Sequence, residues 1–133
     1  MDRPTVDPEI ASLIPPLGEE ELKALRHSLV SEGCRDPLVV WAETGILLDG
    51  HHRLAICQAM GIPYRSTELS LADRLDAKAW VIANQCARRN LTDDQRAVLA
   101  LTLLNLRSEQ AKRDRAKAAA SQRWDSNNLD DDS

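Results

Sequence analysis

Gly50 lies between two patterns that no single element can share. Before it, Ile46-Leu47-Leu48 is a short apolar run that stops at Asp49; after it, Leu54, Ile56, Cys57 and Met60 recur at helical spacing. A strand therefore hands over to a helix within Asp49-Gly50-His51-His52-Arg53. The start of a helix leaves backbone N–H groups without partners and carries the positive end of the helix dipole. An arginine in the first helical turn opposes that dipole unless an anion sits there, so Arg53 points to an anionic ligand, phosphate above all. His51 and His52 diverge on a helix: one is expected to meet the ligand while the other packs or donates to a backbone carbonyl. Adjacent histidines do not give the i, i+4 spacing of a helical metal site, and no metal site is expected.

The segments around this junction predict a small mixed α/β fold. Leu22, Leu25, Leu29 and Val30 have helical spacing behind three acids, Glu19 to Glu21, and Gly33 is placed to end a helix over about 19–32. Pro37-Leu38-Val39-Val40-Trp41 reads as a strand, Ile46-Leu47-Leu48 as its antiparallel partner, and Ile62-Pro63-Tyr64 as the lead into another strand ending near Leu69. The helix after Gly50 is expected to stop at Gly61. Residues 1–18 hold four of the six prolines and are expected to run extended. From Leu71 a helical pattern reaches Arg88 and Arg89, whose place at a helix end is favourable for cations in any case. Thr92 and Gln95 form a capping-box pattern before a long helix, apolar through Val98–Leu106 and rich in Ala, Lys and Arg over 107–123. That second half is expected to project or fray, and the tail from about 124 to 133, ending in three consecutive aspartates, to be disordered.

Charge is unevenly distributed. Residues 1–87 carry 8 basic and 13 acidic side chains, residues 88–123 carry 9 and 4, and the last ten carry 4 acids and no base. The basic block, with Lys112, Arg113, Arg115 and Lys117, is a candidate DNA-backbone contact, although mixed charge on a helix more often marks a solvated face. Leucines on more than one face of Val98–Leu106 fit either a homodimer through the C-terminal helices or burial in the chain's own core. No apolar run reaches the roughly 18 residues of a membrane span. The opening residues lack a secretory pattern, so a cytoplasmic location is expected. Three widely spaced cysteines, Cys34, Cys57 and Cys86, argue against a disulfide framework or zinc cluster and are read as reduced thiols.

The helix ending at Glu32-Gly33, the run Cys34-Arg35-Asp36-Pro37-Leu38-Val39-Val40 and the Leu48-Asp49-Gly50-His51-His52-Arg53-Leu54 junction resemble the ParB/sulfiredoxin superfamily, specifically the ParB N-terminal domain. Gly50-His51-His52-Arg53 is similar to the Gly-x-x-Arg box that holds a nucleotide's phosphates there. Asn84-Gln85-Cys86-Ala87-Arg88-Arg89-Asn90-Leu91 is similar to that family's second box. His51 and His52 replace the acid and arginine of the first box, and Asn84-Gln85 replaces a Glu-Asn pair. A neutral amide still binds phosphate or a metal-bound water but cannot act as a general base.

The resemblance implies an α/β domain with a small mixed sheet flanked by helices (1–70), a helical extension (71–123) and an acidic tail (124–133). It implies a nucleotide-binding module, for CTP or ATP/ADP with Mg2+, acting as a ligand-controlled switch in DNA maintenance or plasmid partition on a plasmid, phage or other mobile element. Gly50, His51, His52, Arg53, Asn84, Arg88 and Arg89, with Arg35 and Asp36 at the strand entrance, would form its site. Asp49-Gly50-His51-His52-Arg53 also resembles the free-serine kinases of the same superfamily, which would cast Asp49 and His52 in phosphoryl transfer to a small molecule. A ParB-like nuclease is a further alternative, and a nucleotide-free interaction module the last.

Overall fold

The computed structural model describes the backbone of residues 3–131 and the side chains of residues 3–124. The element order is α1 (Pro8–Ala11), α2 (Glu19–Glu32), β1 (Leu38–Trp41), β2 (Leu47–Asp49), α3 (His51–Met60), β3 (Ser66–Leu69), α4 (Arg74–Arg88) and α5 (Asp93–Asp131). The three strands form a mixed sheet in the order β2-β1-β3, β1 pairing antiparallel with β2 and parallel with β3. The expected α/β class, small mixed sheet and long C-terminal helix are all present.

Alternation along the strands sorts side chains onto two faces. Leu38, Val40 and Leu47 join Leu54 of α3 on one face, and α2 packs on α3 through Leu29 against Ile56 and Cys57. Trp41 and Leu48 join Ile10 of α1 and Ala77 and Val81 of α4 on the other. The helix α4, assigned from sequence to a separate extension, thus covers one face of the sheet and shares its core.

The expectation that residues 1–18 run extended needs correction. Asp7 caps α1 by accepting from the N–H groups of Glu9 and Ile10, and Pro8 occupies the first turn, where its missing donor costs nothing. Four residues are too few to show a helical period. Arg74 on α4 fixes this segment, holding Asp7 at 2.8 Å and lowering its carboxyl to about 2.

At the C-terminal side the reciprocal Thr92–Gln95 cap forms as expected, with both hydrogen bonds at 3.1 Å. Leu99 and Leu106 bury against Ala79, Ile82 and Leu91, which seats the first half of α5 on α4. The docking continues past Arg107, where little burial was expected, because Arg113 bonds Asp73 and Asp76 at 2.9 Å and Gln110 bonds Asp76. Beyond Arg113 the described side chains, Asp114 to Trp124, are exposed, and the helix does not fray there. The helical backbone passes 124, where the acidic tail was placed, and reaches Asp131; the tail's side chains and residues 132–133 lie outside the described residues.

Candidate functional site

The Asp49-Gly50-His51 junction is a direct strand-to-helix turn: β2 ends at Asp49 and α3 begins at His51. Gly50 adopts φ 102°, a left-handed conformation that side-chain-bearing residues rarely take. A Cβ there would lie 2.4 Å from Leu38 Cδ2 and 3.1 Å from Arg53 Nη2. Glycine lets α3 start tight against the sheet, and no side chain caps its first N–H groups.

A cleft of about 360 Å³ opens at this point. The α3 end supplies Gly50, His51, His52 and Arg53, and the end of α4 supplies Gln85, Arg88 and Arg89, so both sequence boxes meet in one wall. Asp49, only 7 % exposed, lies among the guanidiniums: Arg88 Nη1 donates to it at 2.7 Å and Arg53 Nη2 at 3.3 Å. Arg53 also donates to the Asp36 carbonyl at 2.8 Å. Arg89 reaches across to the Pro15 and Pro16 carbonyls, and His52 Nε2 lies 3.4 Å from the Pro15 oxygen. The two proline carbonyls thus lie where cations of the cleft find acceptors.

Both ring nitrogens of His51 and Oε1 of Gln85, two residues that line the cleft, are buried with nothing to bond among the described residues. Gln85 is 4 % exposed. A buried polar group without a partner costs roughly 1–3 kcal/mol, so a ligand that pairs with these atoms recovers that energy on binding. Burial, with smaller help from the neighbouring His52, lowers the His51 pKa below its ordinary 6.5; burial does the same for His52, helped by Arg89. Both rings are therefore neutral at pH 7, and each offers one donor and one acceptor.

These depressed values make stability pH-dependent. The unfolded chain takes up protons at His51 and His52 near pH 6.5 and the folded one only lower, so stability is full above about pH 6.5 and falls as pH drops through the folded values. Urea midpoints measured between pH 7.5 and 5 are expected to decline, and His51→Asn to flatten part of the decline. A slope unchanged in that variant would remove His51 from the effect.

Not every expected residue arrives. Gln85 rather than Asn84 lines the cleft. Arg35 lies outside it, three-quarters exposed and 3.8 Å from Glu32. Lys112, Arg115 and Lys117 are exposed, whereas Arg113 is committed to Asp73 and Asp76. Sequence reading placed Gln85 in the second box without counting it among the site residues, and it did not assign Glu21, which also lines the cleft. A signal for Gln85 existed: it extends the buried Ala77-Val81-Ile82 stripe of α4 by one turn. Among the described residues no group of three His, Cys, Asp or Glu side chains is placed to hold a metal ion, and no helix is long and apolar enough to cross a membrane.

Two solved structures of pNOB8-like ParB N-domains share this fold. One superposes with a TM-score of 0.72 at 20% identity, covering 86% of this chain and 46% of the other. The second gives 0.68 at 20% identity, with coverages of 86% and 43%. The chain thus spans less than half the length of the solved chains it matches. No family model matches the sequence, and no curated protein matches it. The fold is that of a ParB N-domain.

Proposed function

We propose that the cleft at the start of α3 binds the phosphates of a nucleotide, and that the chain is a nucleotide-responsive module of a DNA-maintenance or regulatory system. The carrying observation is the set of buried, unpartnered atoms of His51 and Gln85 beside an uncapped helix N-terminus and three guanidiniums. Backbone N–H groups of the first α3 turn and Arg53 would hold phosphate oxygens, and the amide of Gln85 would meet a ligand hydroxyl, amine or metal-bound water. Arg88 and Arg89 lie at the junction between α4 and α5. A ligand that draws Arg88 from Asp49 and Arg89 from the proline carbonyls acts at once on α5 and on the N-terminal segment. This is the physical basis for a switch. Lys112, Arg115 and Lys117 would then touch DNA backbone without reading sequence. The ParB N-domain fold gives the DNA-maintenance reading its context.

Calorimetric titration with CTP, ATP and ADP in the presence of Mg2+ tests the site. Saturable binding is expected, weakened at least about tenfold by Arg53→Ala, since a hydrogen bond to a charged group contributes about 1.5–3 kcal/mol. Absence of heat with all three nucleotides sinks the proposal.

One observation favours a second reading, phosphotransfer to a small molecule. Glu21, on the first turn of α2, lines the same cleft as Asp49 and His52 and thereby supplies the acid that a hydroxyl acceptor would need as base. ATP or ADP preferred over CTP, and consumed only with a hydroxyl acceptor present, would select it.

A further inference from the structure

The apolar stretch of α5 divides between two faces. Leu99 and Leu106 bury against α4 with Leu103 packed beside them, whereas Val98, Leu101 and Leu104 point away and are 63%, 63% and 65% exposed. The other large apolar side chains exposed among the described residues, Val6, Val30, Met60 and Trp124, stand singly in separate parts of the chain. A lone exposed apolar residue is ordinary, but three within two turns of one helix form a patch, and such patches mark contact surfaces. Followed at spacings of three and four, the stripe reads Ala97, Leu101, Leu104 and Ser108, all exposed. On the Val98 side a groove of about 380 Å³ separates α5 from residues 12–16, so a second helix laid on the stripe has a wall to seat against.

We propose that this stripe is the contact face of a homodimer in which α5 of a second copy lies antiparallel to the first, across a two-fold axis between Leu101 and Leu104. The stripe is its own complement under reversal. Turning the helix end for end exchanges Leu101 with Leu104 and Ala97 with Ser108. Leu101 of each copy then packs on Leu104 of the other, small side chains flank both layers, and a surface that reads alike in both directions fits a two-fold pairing.

Charge sets the direction. Asp93 and Asp94 stand at the start of the stripe, and Arg107 at its far end opens the basic stretch; all three are exposed. Antiparallel helices lay the acidic end of each copy beside the basic end of the other and oppose their dipoles, whereas parallel helices set like charge beside like. From Asp94 to Ser108 the contact is about 21 Å long and about one helix wide. That is smaller than the roughly 800 Å² per partner of a standard interface, so the dimer is reversible. No part of the pairing needs a nucleotide, and the dimer forms whether or not the cleft binds one.

Sedimentation velocity of the full chain without nucleotide tests the pairing. The expected result is a monomer at about 1 μM that shifts to a dimer by about 300 μM. Leu101→Arg changes a side chain that faces water in the monomer, and circular dichroism checks its folding. It is expected to weaken the dimer at least about thirtyfold, because the substitution falls in the contact twice. Leu104→Glu gives the same reading from the second leucine, and Val30→Arg, exposed on α2, is expected to leave the dimer intact. Cysteine pairing reads the orientation: Leu101→Cys and Leu104→Cys chains mixed under oxidation are expected to link to each other in preference to themselves, with the wild-type chain as the blank for the native thiols. A monomer at every concentration leaves the stripe to a different protein and overturns the proposal, as does a dimer that folded Leu101→Arg and Leu104→Glu leave untouched. Chains that link only to their own kind overturn the antiparallel arrangement.

Discussion

Gly50→Ala is expected to destabilise the protein by about 2–5 kcal/mol, from backbone strain at positive φ and overpacking together. The added Cβ meets Leu38 Cδ2 at 2.4 Å, and Leu38 is wholly buried, so its methyl can retreat only into the packed cluster of Val40, Leu47 and Leu54. The backbone at φ 102° adds strain whatever the packing does. Gly45→Ala separates the two effects. Gly45 has φ 77° with nothing within 4 Å of its built Cβ, so it carries the strain alone and is expected to cost about 1–2 kcal/mol. Thermal and urea unfolding of both variants check this, and equal costs would show that the contact with Leu38 is relieved without effort. A folded remnant of Gly50→Ala should also shift the Arg53 guanidinium, because the added carbon lies 3.1 Å from it.

Asp49→Asn is expected to move stability and anion affinity in opposite directions. Asp49 is the one carboxylate that both Arg53 and Arg88 hold, and the Arg53 side chain is only 15% exposed. Removing the charge leaves Arg53 without its counter-ion and is expected to cost about 1–3 kcal/mol. Arg88, half exposed, turns to water and adds little to that cost. The same substitution frees both guanidiniums from an internal competitor. Apparent affinity for inorganic phosphate or a nucleotide is expected to rise roughly tenfold, since more of the protein then presents an open arrangement. Denaturation and titration on one preparation test both halves. A variant that loses affinity along with stability would mean that Asp49 serves the ligand directly, which is the outcome expected of phosphotransfer.

Much of the site was legible because its chemistry is local in sequence. The change of period around Gly50 marks a helix start, and Arg53 in the first turn raises the expectation of an anion, which the Asp49 carboxylate meets within the chain. Thr92 and Gln95 cap α5 by the same local logic. Asn84 was expected in the site, yet Gln85 faces the cleft, because the rotation of α4 is set by burying Ala77, Val81 and Ile82. Arg113 read as a surface cation for DNA, yet Asp73 and Asp76, some forty positions earlier, claim it. The helix α1 escaped notice because four residues, the first of them Pro8 behind the Asp7 cap, carry no period.

Taken alone, the sequence determined every element but α1, their order, and the caps and breaks at Gly33, Gly61 and Thr92. These follow from spacing and from groups within a few residues of each other. Only the tertiary structure decided that Asp49 is the internal partner of Arg53 and Arg88, and that the Pro15 and Pro16 carbonyls occupy Arg89. Those contacts join residues far apart along the chain. Packing the two faces of one three-stranded sheet brings them together, and no local pattern records which side chains that packing will make neighbours.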